Sequence, residues 1–248
     1  QNNRRSHALA ALSLSLHRYG YDNKKWSALL NHAVKDDKGA IGPVPHQFRL
    51  LGLLGIDCKE PRLEMYPTEK DQGYVDAFLK SQWLPDHQAI IGINIGASER
   101  WQTKVWPMRS MARLCEELNR RRIMVAMTGT DQDAAKVKQL VSIAPNAKVI
   151  DACGKLTVNQ LACLIRRCSV YISADSAPLH IAACTQTPFV ALFGPTDPRR
   201  HAPPAEKFLV LRKELPCSPC YRSKCPKPKC MESISVEEVL AAIEQLTK

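Results

Sequence analysis

From about residue 88 onward, short aliphatic runs alternate with stretches of helical periodicity, and no other feature of the chain narrows its possible folds so far. Residues 89–95 read as a buried strand closed by Gly96. The next helix is expected to open at Trp106-Pro107, because a proline's missing N–H costs little in a first turn. On that helix Met111, Leu114, Cys115 and Leu118 fall on one apolar stripe. Further strands are expected at 123–127, 148–150, 170–173 and 189–193, and further helices at 131–142, 157–167, 176–184 and 235–246. Repeated strand–helix units of this kind predict an α/β fold with a doubly wound parallel sheet, helices on both faces. Such sheets bind ligands at the carboxyl ends of their strands, so functional residues are expected in the strand-to-helix turns.

Residues 1–85 are less regular. Helices are expected at 8–16, 47–54 and 74–81, with prolines 43, 45, 61 and 67 between them and few strand signals. This stretch reads as a partial N-terminal domain whose sheet is mostly missing, and residues 86–248 as the C-terminal domain. The chain is 45% hydrophobic and 24% charged, a composition that excludes a disordered tail or a collagen-like fibre. No apolar run approaches the ~18–20 residues of a membrane span, and the first residues lack the apolar core of a secretory signal. Six cysteines (58, 115, 153, 163, 168 and 184) stand singly in the sequence, which points to a reducing cytoplasm. With 35 Lys and Arg against 24 Asp and Glu, the net charge of +11 calls for an anionic partner without choosing among nucleic acid, phosphorylated small molecule and lipid.

Three turns carry the chemistry. In Ser173-Ala174-Asp175-Ser176-Ala177-Pro178-Leu179-His180 a strand gives way to a helix that Ser176 could cap and whose first turn suits Pro178. The amides that begin such a helix form a seat for phosphate, and small Ala177 lets a ligand approach. His180 lies one turn down on the face of Ser176. The same spacing equally describes a capped core helix with His180 bonded inside. After the strand at 89–95, a polar loop presents Ser98 and Lys104, the latter able to meet phosphate as a point charge or to stand solvated before the helix. The third turn, Phe193-Gly194-Pro195-Thr196-Asp197, offers the Thr196 hydroxyl or is a plain Gly-Pro turn.

Taken together, Asp175-Ser176-Ala177-x-x-His180-x-Ala182-Ala183, the run from Thr187-Pro188 to Asp197-Pro198, and Lys104-x-Trp106-Pro107 resemble the donor-site signature of glycosyltransferase family 9, which includes the ADP-heptose:lipopolysaccharide heptosyltransferases. Gly129-Thr130-x-x-Asp133 is similar to the family's next loop, and Cys217-x-x-Cys220 through Cys230-Met231 to a tail in many members. The likeness spans roughly residues 89–248, with Ala177 where many members have Gly. It implies a GT-B fold, with the C-terminal domain holding a nucleotide sugar. Asp175, Ser176, Ala177 and His180 would then hold the diphosphate and sugar, and Lys104 would bind phosphate and stabilise the leaving group. Ser98, Gly129, Thr130 and Thr196 would add donor contacts, Asp133 would meet the ribose, and Leu156 and Thr157 the adenine edge. The implied reaction is an inverting transfer of heptose from ADP-heptose, without a required cofactor, to a phosphorylated lipid A–inner core glycolipid at the inner face of the cytoplasmic membrane.

Family members begin with a Gly-Asp loop whose Asp is the expected base. No such segment is found in this sequence, so the base is unassigned, neither Asp22 nor Asp57 having the family context, and the chain is expected to bind donor but to transfer sugar poorly. The spacing Cys217-x2-Cys220-x4-Cys225-x4-Cys230 is that of a knuckle able to close a structural zinc site; a metal-free loop of free or partly oxidised thiols is the other reading. Arg222, Lys224, Lys227 and Lys229 crowd the same loop, either as a solvated face or as a site of attraction to the membrane surface. The charge and the knuckle also admit a nucleic-acid-binding module, against which the aromatic residues show no stacking stripe. A donor-binding protein without catalysis is the remaining alternative.

Overall fold

The computed structural model describes residues 4–22, 24–35, 43–57, 62–82 and 88–248. The chain divides into two compact units, Gln1–Pro61 and Arg62–Lys248. The boundary expected at 85/86 falls within 83–87, outside the described residues, as does Cys58.

In the smaller unit, α1 (Arg4–Leu12) precedes β1 (Tyr19–Asp22), β2 (His32–Lys35) and α2 (Pro43–Gly52). The first helix ends short of the expected residue 16 because Leu14 takes a φ of 53°, a left-handed conformation that closes helices. The strands are too short and polar to register as aliphatic runs, yet they pair in parallel with Tyr19 opposite His32, whose rings stack 4.5 Å apart. A small sheet is therefore present where little of one is expected.

The larger unit opens with α3 (Glu69–Ser81), started five residues ahead of expectation by a reciprocal Thr68–Asp71 cap. There follow β3 (Ile90–Asn94), α4 (Met108–Arg120), β4 (Met124–Thr128), α5 (Ala134–Ile143), β5 (Val149–Asp151) and α6 (Val158–Arg167). Next come β6 (Val170–Ala174), α7 (Ala177–Cys184), β7 (Phe189–Phe193), α8 (Pro198–His201), β8 (Phe208–Arg212), α9 (Lys229–Glu232) and α10 (Val236–Leu246). Each helix and strand expected here forms, within a few residues of its expected bounds. Pro107 stands at the N-cap of α4 rather than inside it, and residues 131–133 are a separate 3-10 turn. β8 is the addition: it is half-buried along its length and closes one edge of the sheet.

All six strands are parallel, in the order β5-β4-β3-β6-β7-β8. Alternate side chains divide between two cores. Ile91, Ile93, Ile172 and Leu192 pack with residues of α4, α5 and α10, while Ile90, Tyr171, Phe189 and Phe193 pack with α3, α6 and α7. Gly92 is required in the middle of β3, because a Cβ there would collide with the buried Tyr171 ring. The direction of winding reverses between β3 and β6, and at that reversal the loops part to leave a crevice at the strands' carboxyl ends.

Candidate functional site

The crevice holds a cavity of about 550 Å³. Three of its walls are the turns after β3, β4 and β6, which contribute Ser98 and Lys104, Gly129, Thr130 and Asp133, and Asp175, Ser176, Ala177 and His180. Nine of the expected donor residues are thus brought together, by residues widely separated in the chain. The other three stand elsewhere. Thr157 caps α6, its hydroxyl accepting from the Gln160 amide, and Leu156 packs against the core. Thr196 is 2% exposed, with a hydroxyl that finds no partner among the described residues. Leu161, one turn into α6, forms the wall on that side.

Lys104 ends a 3-10 helix, Glu99–Lys104, where the sequence reads as loop. Its Nζ donates to Asp175 Oδ2 at 2.7 Å and to the Asp175 carbonyl at 3.2 Å, and lies 4.8 Å from the centre of the Trp101 ring. The ammonium is therefore fixed at the mouth of α7, whose first amides have no carbonyl one turn earlier to bond. Ser176 does not cap that helix with its side chain. Its hydroxyl turns instead to the Ser173 hydroxyl at 3.0 Å and to Asn94, whose Nδ2 donates to it at 3.1 Å and to the Gly96 carbonyl at 2.7 Å. Asn94 thus laces β3 to the turn after β6. The polar end of an otherwise aliphatic run was a usable signal for it, whereas nothing local marks Trp101 or Leu161.

Asp133 is buried against two glycines: a Cβ on Gly96 would lie 2.5 Å from its carboxylate, and one on Gly129 2.8 Å from its Cβ. Burial raises its pKa, but hydrogen bonds from Lys136, at 2.7 Å, and from the Thr130 amide and hydroxyl outweigh this and hold it below the usual value. His180 is half-buried, and desolvation lowers its pKa in spite of the nearby Asp175 carboxylate. His201 on α8 is lowered in the same way. A neighbouring hollow of about 480 Å³ shares Ser98, Thr130 and Asp133 with the cavity and extends to Lys136.

In the smaller unit Asp22 is held below its ordinary pKa by the Lys24 amide and the Ser27 hydroxyl.

Among the described residues no three His, Cys, Asp or Glu side chains are grouped to hold a metal; Cys217 and Cys225 are exposed and Cys220 and Cys230 half-buried, all as free thiols. Hydrogen bonds organise the segment instead: Ser218 Oγ donates to the Gly194 carbonyl at 2.6 Å, and the amides of Cys220 and Tyr221 donate to the Pro195 carbonyl at 3.0 and 2.8 Å. No described helix is long and apolar enough to cross a membrane.

Comparison with known proteins decides the family. The profile of glycosyltransferase family 9 (heptosyltransferase) matches residues 1–231, well beyond the stretch whose motifs suggested it. The chain belongs to that family. A lipopolysaccharide heptosyltransferase 3 of Escherichia coli is 35% identical over 177 residues, 69% of this chain and 49% of that protein. The crystal structure of a family 9 glycosyl transferase from Veillonella parvula superposes with a TM-score of 0.85 at 25% identity, covering all of this chain and 72% of the other. Escherichia coli ADP-heptose lps heptosyltransferase II shares the fold, with a TM-score of 0.76 at 23% identity over all of this chain and 74% of that one. The α/β architecture is thus the GT-B type of heptosyltransferases. The chain spans about half the length of the curated relatives it matches.

Proposed function

We propose that the crevice binds the diphosphate of a nucleotide sugar, ADP-heptose by kinship, and that the larger unit is the donor half of an inverting lipopolysaccharide heptosyltransferase. The observation that carries this reading is the Lys104 ammonium fixed 2.7 Å from Asp175 at the N-terminus of α7, inside a cavity at the sheet's point of reversal. The diphosphate would lie between Lys104, the first amides of α7 and His180. The sugar would extend past Asp175 and Ser176, and the nucleoside toward Ser98, Asp133 and Leu161. Leu156, Thr157 and Thr196 do not line the cavity, so their roles would be indirect ones.

Transfer would proceed by attack of an acceptor hydroxyl on the anomeric carbon as the bond to the phosphate oxygen breaks. Negative charge then gathers on the departing diphosphate, where a preorganised ammonium and helix amides stabilise it most. Each of these contributions comes from side chains and backbone, so no cofactor is assigned a step. The base that takes the acceptor's proton is not assigned to any residue. A phosphorylated glycolipid at the cytoplasmic membrane surface fits the family as acceptor, and the basic segment 222–229 suits such a surface.

The test is thermal unfolding with ADP, UDP, GDP and CMP. A ligand at a hundred times its Kd adds about 2.7 kcal/mol, so ADP should raise Tm clearly and above the other nucleotides. Equal, negligible shifts for all four would sink the reading.

A further inference from the structure

We propose that the cysteine-bearing segment 217–230 is a strap that positions Lys104, and that Thr103 is the positioning residue through which it acts; this rests on the reading of the crevice as a diphosphate site. Thr103 is only 6% exposed, and its hydroxyl donates to the Arg222 carbonyl at 2.9 Å, across 119 positions of chain. Two residues beyond Lys104, the buried Trp106 indole donates to the Ile234 carbonyl at 3.0 Å. Lys104 is therefore flanked by two ties to the tail of the chain.

The strap is itself anchored. The Ser218 hydroxyl hangs from the Gly194 carbonyl and two backbone amides from that of Pro195, Arg212 Nη2 donates to the Ser218 carbonyl at 2.9 Å, and fully buried Met231 packs so closely that a Cβ on Gly194 would lie 2.5 Å from its sulfur. The helix that carries Lys104 has no comparable strength of its own. It is a 3-10 helix with no side-chain cap and with Trp101 in a non-helical conformation within it, and short 3-10 segments are weakly bonded. External ties therefore determine where the ammonium stands, and a ligand that uses it benefits from a group already in place. This also gives the segment a purpose that needs no metal.

Isothermal titration with ADP tests the strap. Thr103→Val should weaken ADP roughly 2- to 10-fold, the range of one net hydrogen bond, while Thr103→Ser should restore wild-type affinity. In a Lys104→Met background, Thr103→Val should cause no further loss, because the two residues act as one unit; a purely structural contribution would add. On the wild-type chain, where no variant has to fold, bound ADP should slow hydrogen exchange at the amides of Cys220 and Tyr221. Unchanged affinity in Thr103→Val, additive losses, or exchange at those amides indifferent to ADP would each overturn the strap. A wild-type chain that fails to bind ADP would overturn the reading of the crevice, and the strap with it.

Discussion

Lys104 and His180 face the same cavity. The Lys104–Asp175 pair is mostly buried, at 14% and 8% exposure. Lys104→Met removes a charge-assisted contact of about 1.5–3 kcal/mol, so ADP should bind roughly 10- to 100-fold more weakly by titration. The variant should also melt earlier without ligand, because the buried Asp175 side chain loses its ion-pair partner. The folded-state pKa of His180 is depressed below its unfolded value of about 6.5 by burial. Just under pH 6.5 the unfolded chain therefore binds more protons than the folded one, and stability falls as pH drops through that range. Below the depressed folded pKa the loss is complete and changes no further. His180→Gln should flatten this part of a Tm-against-pH curve, although His201, depressed in the same direction, will leave some slope. A diphosphate beside His180 favours the imidazolium, so ADP binding near pH 6 should take up more protons in the wild-type chain than in His180→Gln, measurable by titration in buffers of different ionisation heat. An equal proton count in the two chains would place the ligand elsewhere. Of these residues, Lys104 and His180 were legible through the motifs they share with the family, their spacing alone leaving a solvated lysine and a core histidine open. Asp133 was legible as an acid but not as one pinned by Lys136 and two glycines.

Elements succeed or fail in the sequence according to how much of their stabilisation is local. The helix α6 announces itself by an apolar stripe and by Thr157, three residues before Gln160, and it forms where expected. β1 and β2 carry no such signal: four residues each, they exist because a partner strand lies alongside. The 3-10 helix that bears Lys104 reads as loop because its ties lie more than a hundred positions away. The order of the cysteine segment is likewise hidden from its spacing, since backbone carbonyls of the turn after β7 hold that segment. At this scale the turn after β3 is the sensitive one. Gly96→Ala would set a methyl 2.5–2.7 Å from the Asp133 carboxylate and push it from its Thr130 and Lys136 partners. Overpacking of this sort costs about 1–3 kcal/mol; urea unfolding should record that loss, and an unchanged midpoint would mean that the carboxylate has room to move.

For the whole molecule, the parallel sheet and its carboxyl-end site follow from the alternation of runs after residue 88, and that much was readable in advance. How the six strands are ordered was not, because side-by-side placement depends on contacts between residues far apart in the chain. The family match reaches residue 1, while the chain covers about half of its curated relatives. The 248-residue chain should bind ADP; assayed by mass spectrometry with ADP-heptose and a lipid A–inner core acceptor, rapid turnover would place the base within it.

Asn94 and Ser176 meet across the seam of the sheet although 82 positions separate them in the chain. Everything between them departs from that seam and returns to it by way of β4, β5 and α6. That excursion carries Ser98, Lys104, Gly129, Thr130 and Asp133 to the crevice, so its length can vary with little disturbance to the crevice floor only at the helix-to-strand turns, at the opposite ends of the strands. What the floor would not survive is a one-residue slip of β6 along β3, and Tyr171, lodged over Gly92, is the latch against it.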